Sequence, residues 1–415
     1  MTDLRTSAAA SVISPGDLAP GSGRALSVLI GLEGLALGGC PINALDLGRT
    51  LRQRGHQVSV FAIDEDVKVS LLPYAARCGF NPVLLPAGSG TMARTRQIRK
   101  VADSTGADIT HVFGPWLGPV ASVAMALRRS GAAVVTNWTM ENVFYTPRHT
   151  PVIVGTQRLL DELGPRHEGR VWLMEPPVDL AADAPDPVRG KEFRHAWNIA
   201  DDELAVVVVG RVDAHLKAEG LCHAIRAVEI SDPGLRLVIV GDGDAFEQIR
   251  ELAEEVNQRV GRAAVLLTGS MNDPRPAYDA ADIALGMGGS ALRALAHGKP
   301  LIVLGAHGFA RTFERASVSY FYGAGFHGEQ GPKDPIQHLA ALMSSLRDDE
   351  RREALGQFGL SEVRSRFSLE TGAIKLEQVY RSTLAQLPPA RKRRMVAAEQ
   401  VARGTARESW QAVHG

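Results

Sequence analysis

The sequence predicts an α/β chain made of two successive doubly wound, Rossmann-like domains. Short apolar runs alternate with amphipathic helical stretches from Ala25 to Leu304, the pattern of parallel sheets covered on both faces. A Pro/Asp-rich run, Glu175–Arg189, interrupts that series with the composition of a linker. The 415 residues, 45% of them hydrophobic, suffice for two cores of ordinary size.

Residues 1–24 are Ser-, Ala-, Gly- and Pro-rich and read as a flexible tail. The first domain is expected over residues 25–176, opening with the strand Ala25–Leu32. Gly34 to Gly39 form a glycine-rich loop, and Pro41 starts a helix that ends at Gly55. Further strands are expected at Val58–Ile63, Pro82–Leu85, Ile109–Phe113, Val134–Thr136 and Val152–Val154. After a linker over 177–190, a second domain over 191–365 carries strands at Leu204–Val209, Leu235–Val240, Ala264–Leu267, Ile283–Leu285 and Leu301–Leu304. A terminal helix over 366–387, with Leu376, Val379, Tyr380 and Leu384 on one face, is expected to pack back on the first domain. Residues 388–415 form a basic tail.

Several function classes are disfavoured. The 46 basic and 46 acidic residues cancel, so no global field draws nucleic acid or a membrane surface, and neither is an expected partner. No apolar run approaches the roughly 20 residues of a membrane span. Cys40, Cys78 and Cys222 are far apart and lack metal-ligand spacing, which points to a reduced, cytoplasmic setting. The first turn lacks the G-x-G-x-x-G spacing of a dinucleotide site, against a nicotinamide or flavin oxidoreductase. The oligomeric state is left open.

The stretch Leu285–Pro300, LGMGGSALRALAHGKP, draws most attention. Gly286, Gly288 and Gly289 allow close approach of a ligand to the backbone. Ser290 is expected to cap a helix with Leu292, Leu295 and Ala296 inward, ended by Gly298 and Pro300. A glycine loop entering a helix N-terminus is a generic anion site, and equally a plain strand–helix turn. Three positions after that cap stands Arg293, where a cation opposes the macrodipole at a cost of about 0.3–1 kcal/mol. It either faces solvent or answers an anion, whether a ligand phosphate or a carboxylate of the protein.

Arg211 and Lys217 lie just past the strand Leu204–Val209, either as two solvated loop cations or placed to hold a diphosphate, the one as a bidentate fork and the other as a point charge. Asp242 and Asp244 form a D-x-D pair, but Asp244 with Glu247 also makes an N-terminal helix signal, and no metal is expected there. Gly38 and Gly39 can admit a phosphate or a sugar, or serve only as a turn.

Together these motifs resemble glycosyltransferase family 4, retaining nucleotide-sugar enzymes of GT-B fold. The resemblance spans roughly residues 26–385 and rests on the Arg211/Lys217 pair, the VIVGDG turn Val238–Gly243, the DPRPAYDAADI run, the ALAHGKPLIV tail Ala294–Val303 and the glycine loop with first helix near the N-terminus. It implies two Rossmann-like domains facing each other across a cleft. Arg211 and Lys217 are then the catalytic cations on the leaving diphosphate. Donor contacts are implied at Gly38, Gly39, Gly241, Gly269, Gly288, Gly289, Ser290, Ala291, Leu292 and Arg293, with acceptor or donor-sugar contacts at His111, Asn137, Trp138 and Glu141, although His111, Trp138 and Glu141 each taken alone also read as structural residues. The two glutamates that flank the donor loop in this family are replaced by Leu285 and Arg293. The implied partners are a nucleoside diphosphate sugar, as co-substrate in place of any bound cofactor, and a small-molecule or glycan acceptor with a hydroxyl or amine. A sugar-nucleotide epimerase would need acid–base residues of which no set is evident. A non-catalytic binding subunit would explain the missing glutamates but not the retained cations.

Overall fold

The computed structural model describes residues 24–67, 69–139, 148–214 and 217–398. The N-terminal tail to residue 23, Glu141 and the tail from residue 399 lie outside the described residues. The chain divides into two compact units, one running to Pro177 and resuming at Leu369, the other spanning Val178–Ser368.

The first unit contains β1 (Ser27–Leu32), α1 (Gly39–Gln53), β2 (Gln57–Asp64), α2 (Leu72–Arg77), β3 (Val83–Pro86) and α3 (Thr91–Ser104). It continues with β4 (Ile109–Phe113), α4 (Gly118–Ala126), β5 (Ala132–Asn137), β6 (Val152–Val154), α5 (Gln157–Leu163) and β7 (Val171–Leu173). The strands pair in parallel in the order β3-β2-β1-β4-β5-β6-β7. In β1, Val28, Ile30 and Leu32 pack against Leu45, Leu47 and Leu51 of α1, while Leu29 faces Phe61, Ile98 and Val112 on the other side. Because both faces are covered, β1 reads as an unbroken apolar run. Helix α1 starts at Gly39, two residues before Pro41, with Gly38 extended as its cap.

The second unit begins with α6 (Pro187–Ala196), whose cap Asp186 accepts from Val188 and Arg189 N–H. The expected linker is therefore partly helical. There follow β8 (Leu204–Val209), α7 (Ala218–Glu229), β9 (Leu235–Val240), α8 (Phe246–Val260), β10 (Val265–Gly269) and α9 (Arg275–Ala280). Next come β11 (Ile283–Gly286), α10 (Gly288–Ala296), β12 (Leu301–Leu304), β13 (Ala310–Thr312), α11 (Val318–Ala324), α12 (Pro335–Ser345) and α13 (Asp349–Arg366). The strand order is β10-β9-β8-β11-β12-β13, with only the edge strand β13 antiparallel.

Helix α14 (Leu369–Ala385) completes the first unit, placing Ala373, Leu376, Val379 and Tyr380 in the same core as α1. Its Glu377 accepts from Arg54 Nε at 2.6 Å and lies 3.0 Å from His56 Nε2. His56 Nδ1 accepts from Leu26 N, so Nε2 carries the proton that Glu377 receives. Residues 390–398 are helical as well, so the basic tail is not wholly solvated. Its Arg393 is buried and donates to the carbonyls of Gly131 and Arg129 at 3.0 and 2.9 Å.

The hydroxyl of Tyr380 lies 2.7 Å from His111 Nδ1, both fully buried. Tyr380→Phe strands that ring nitrogen and is expected to lower unfolding free energy by about 1–3 kcal/mol in urea titrations. A loss below roughly 0.5 kcal/mol would mean the contact is dispensable.

Candidate functional site

In each sheet the strand order reverses once: between β1 and β4 in the first unit, and between β8 and β11 in the second. Loops leaving two such neighbours go to opposite faces, which opens a crevice at the carboxyl ends of the strands where ligands bind.

At the second reversal, β8 delivers Arg211 and Lys217, and β11 delivers the loop into α10. Arg211 is 78% exposed along its side chain and lies 3.8 Å from Asp213. Lys217 folds back over Gly210, so close that a Cβ there would meet its Nζ at 2.3 Å. Burial, and then neighbouring Arg211, lower the Lys217 pKa, while Asp213 acts in the opposite direction. Gly241, at the end of β9, has φ +147°, and a Cβ on it would fall 1.9 Å from the Gly210 carbonyl oxygen. It therefore serves to pack two loops together. Its N–H donates to Gly269 O at 2.9 Å, which ties the end of β10 into the same layer. Gly269, Gly288 and Gly289 face open space, since a Cβ on any of them would touch nothing within 4 Å.

The donor loop departs from expectation in one respect that matters. Met287, not Ser290, is the N-cap of α10. Ser290 is the third residue of the helix, and its Oγ donates to Met287 O at 2.9 Å and accepts from Met287 N at 3.3 Å. Ala291 and Leu292 are buried core. Arg293 thus belongs to the last turn, where a cation complements the macrodipole. Its Nε lies 3.8 Å from the buried carboxylate of Asp183. Asp183 in turn lies 3.7 Å from His297 Nε2, and His297 Nδ1 is 2.7 Å from Asp279. Although burial acts to lower it, the two flanking carboxylates hold the His297 pKa above its ordinary value. Asp244 is likewise no cap: α8 starts at Phe246, and Asp244 accepts from Ala214 N at 3.0 Å.

In the first unit, several expected contact residues turn inward. His111 sits in the middle of β4 with no exposure, bonded to Tyr380 and to Thr136 Oγ1, and burial pushes its pKa down to about 3. Asn137 is fully buried and its Oδ1 accepts from Thr139. Trp138 is half-buried, donates to Met174 O at 2.7 Å and meets Phe113 edge-on. His111 and Asn137 are thus enclosed within the sheet, because a central parallel strand has no wet face, whereas Trp138 lies just past the end of β5.

Two residues at the first reversal had escaped notice. Glu33 follows β1 and accepts from the backbone N–H of Trp116 and Leu117, which follow β4. It packs so closely on Gly114, at φ +125°, that a Cβ there would fall 2.0 Å from the Glu33 carboxyl carbon. Burial is the main cause that raises the Glu33 pKa to about 7, the two amides oppose it, and Glu65 adds to it. Trp116 is 61% exposed beside it. Only the position of Glu33 directly after the first apolar run signals it in sequence. Gly38 and Gly39, at the N-terminus of α1, complete this end of the sheet.

Comparison with known proteins agrees with this geometry. Residues 190–361 match the model described as glycosyl transferases group 1, and residues 37–171 match glycosyltransferase family 4. The class is thus a GT-B glycosyltransferase. More particularly, the chain belongs to glycosyltransferase family 4 and is an enzyme of glycosyl transfer. It is 24% identical over 370 residues to a GDP-mannose-dependent alpha-(1-6)-phosphatidylinositol monomannoside mannosyltransferase of Mycobacterium tuberculosis, covering 81% of this chain and 92% of that one. Among solved structures, Anabaena HepE in complex with UDP superposes with a TM-score of 0.68 at 16% identity, over 86% of this chain and all of that one. A glycosyltransferase of Rickettsia africae gives 0.67 at 14% identity, over 88% of this chain and all of that one.

A carboxyl whose folded pKa exceeds its unfolded one keeps a proton the unfolded chain releases, so Glu33 erodes stability as pH rises from about 4.5 to about 7. Glu33→Gln is therefore expected to gain stability relative to wild type between pH 5 and pH 8, by at most about 3 kcal/mol. Urea unfolding at both pH values checks this, and an unchanged difference refutes the shift. Arg293→Ala is expected to destabilise the ligand-free protein by about 1–3 kcal/mol, since Asp183 loses a buried counter-charge. An unaltered thermal melt would make Arg293 a solvated cation.

Proposed function

We propose that this chain is a retaining glycosyltransferase that moves a sugar from a nucleoside diphosphate sugar to a hydroxyl or amine of a small-molecule or glycan acceptor. The observation that carries the reading is the pair Arg211 and Lys217 at the end of β8, beside the open-faced glycines that enter α10 at the end of the neighbouring β11. Cations preorganised where a diphosphate leaves stabilise the charge that develops as the anomeric C–O bond breaks. Arg211 offers a planar fork and Lys217 a point charge, and no metal is then needed. The acceptor oxygen forms the new bond on the face the phosphate leaves, and its proton passes to the departing phosphate oxygen. Gly269, Gly288 and Gly289 leave room for nucleoside and sugar. Glu33 and Trp116 are the acceptor-side candidates in the first unit, an aromatic face and a carboxyl being suited to polyhydroxylated rings. The UDP and UDP-glucose complexes of Anabaena HepE support a nucleotide-sugar donor. Three cysteines, all free of disulfides, support a cytoplasmic site of action.

A second reading, a binding subunit without turnover, is favoured by one observation: Arg293, at a position where the resemblance implies a glutamate, lies against Asp183. A panel of nucleotide sugars with mass detection of products decides. Transfer or donor hydrolysis supports the enzyme, and binding without either supports the subunit. In the enzyme, Arg211→Ala and Lys217→Ala are each expected to lower turnover by about 100-fold or more. Near-wild-type rates in both would end the diphosphate assignment.

A further inference from the structure

A cavity of about 630 Å³ lies inside the first unit at the amino-terminal ends of β5, β6 and β7, where Gly131–Ala133, Thr150–Pro151, Gly169, Arg170 and Trp172 line it. This is the end of the sheet opposite Glu33, Gly38 and Gly39, so the cavity is no part of the transfer site. Its volume is in the range of small-molecule sites. The helix 390–398 forms one wall through Val396 and Ala397, and it lies outside both segments that match the family.

The walls are apolar at depth and cationic at the rim. Met125, Ala133 and Trp172 are buried, whereas Arg170 and Lys392 are exposed. The Arg170 guanidinium stands 5.0 Å from the Trp172 ring centre and donates to Ser382 Oγ at 2.8 Å. The acidic lining residue Glu168 lies 2.8 Å from His149 Nδ1. Two lining residues also carry buried N–H donors with no acceptor among the described residues: Trp172 Nε1 and Arg393 Nε, in residues only 6% and 9% exposed. Buried donors are almost always satisfied, and an unsatisfied one asks what partner it lacks. Here the missing partner is an acceptor, and the rim around it is positive.

We propose that this cavity is a second binding site, for an anion carried on an apolar body: a carboxylate or phosphate ester of an aliphatic or aromatic group. The apolar portion lies along Met125, Ala133 and Trp172, and the anionic head meets Arg170 and Lys392. Trp172 and Arg393 supply N–H donors to its oxygens.

The test is calorimetric titration of the full chain with decyl phosphate and with decanoate at submicellar concentration, using decanol and inorganic phosphate as controls. Saturable one-to-one binding of at least one anion is expected, with both controls weaker by about 10-fold or more, as loss of a charge-assisted contact or of apolar burial requires. The tighter of the two anions identifies the head group. Lys392→Glu, at an exposed position, is expected to weaken binding by about 10-fold or more. Ala397→Trp, which fills the cavity, is expected to abolish it. Absence of saturable binding, decanol binding as tightly as the anions, or an affinity unmoved by Lys392→Glu would each overturn the proposal. Should Ala397→Trp fail to fold, Lys392→Glu alone decides.

Discussion

The organising constraint in both units is the single reversal of strand order in a parallel sheet. Strands β1 and β8 each have a neighbour on one side reached through one set of helices and a neighbour on the other reached through the opposite set. No connection can cover the carboxyl ends of the reversing pair, so backbone amides and short polar side chains collect there without an enclosing layer. Everything of chemical interest in the second unit, Arg211, Lys217 and the glycines before α10, is at that place because nothing else in the sheet leaves room for it.

What holds these loops is close backbone packing together with buried charge. Gly210 and Gly241 meet main chain to main chain, a contact that any side chain would prevent. On the far side of α10, Asp279 gathers His297, the Arg189 guanidinium and the Asp186 N–H, while Asp183 draws on Arg293 and His297. These buried ions are tolerable only because each carboxylate has several partners, and removing one partner leaves an uncompensated charge. The helix behind the donor loop is thus fastened by electrostatics to the first residues of its own unit.

Much of the fold was legible in the sequence because strands of four or more apolar residues announce themselves: β8, β9 and β12 are observed at the expected residues. Of the three-residue strands, β6 was expected at Val152–Val154, an all-apolar run, whereas β7 and β13 were not legible. A run that short becomes a strand through its pairing partner, and pairing is not a local property. Arg211 and Lys217 were visible from their distance past a strand. His111 could be read two ways in the sequence for a related reason: ITHVF has a polar middle, which suits a contact residue or a core one, and a strand with helices on both faces buries that middle completely. The start of α10 was placed three residues late because serine stabilises a helix entry from N3 as well as from the cap, and only the backbone shows which. Glu33 could not be distinguished from a solvated glutamate until two amides and a glycine were seen to converge on it.

The first unit is built from both ends of the chain, with α14 supplying Tyr380 and Glu377 to a core that otherwise closes by Pro177. On the ribosome this imposes an order of events. The second unit is one uninterrupted stretch and can fold as soon as it emerges, whereas the first must wait while Val178–Ser368 is made. At roughly 5–20 residues per second that delay is on the order of 10–40 s. Throughout it, the groove awaiting α14 stays open with Leu45, Leu47 and His111 at its base. The nascent chain therefore carries an unsealed hydrophobic face far longer than its size alone would require, and a chaperone that recognises such faces has its widest opportunity before the last helix is translated.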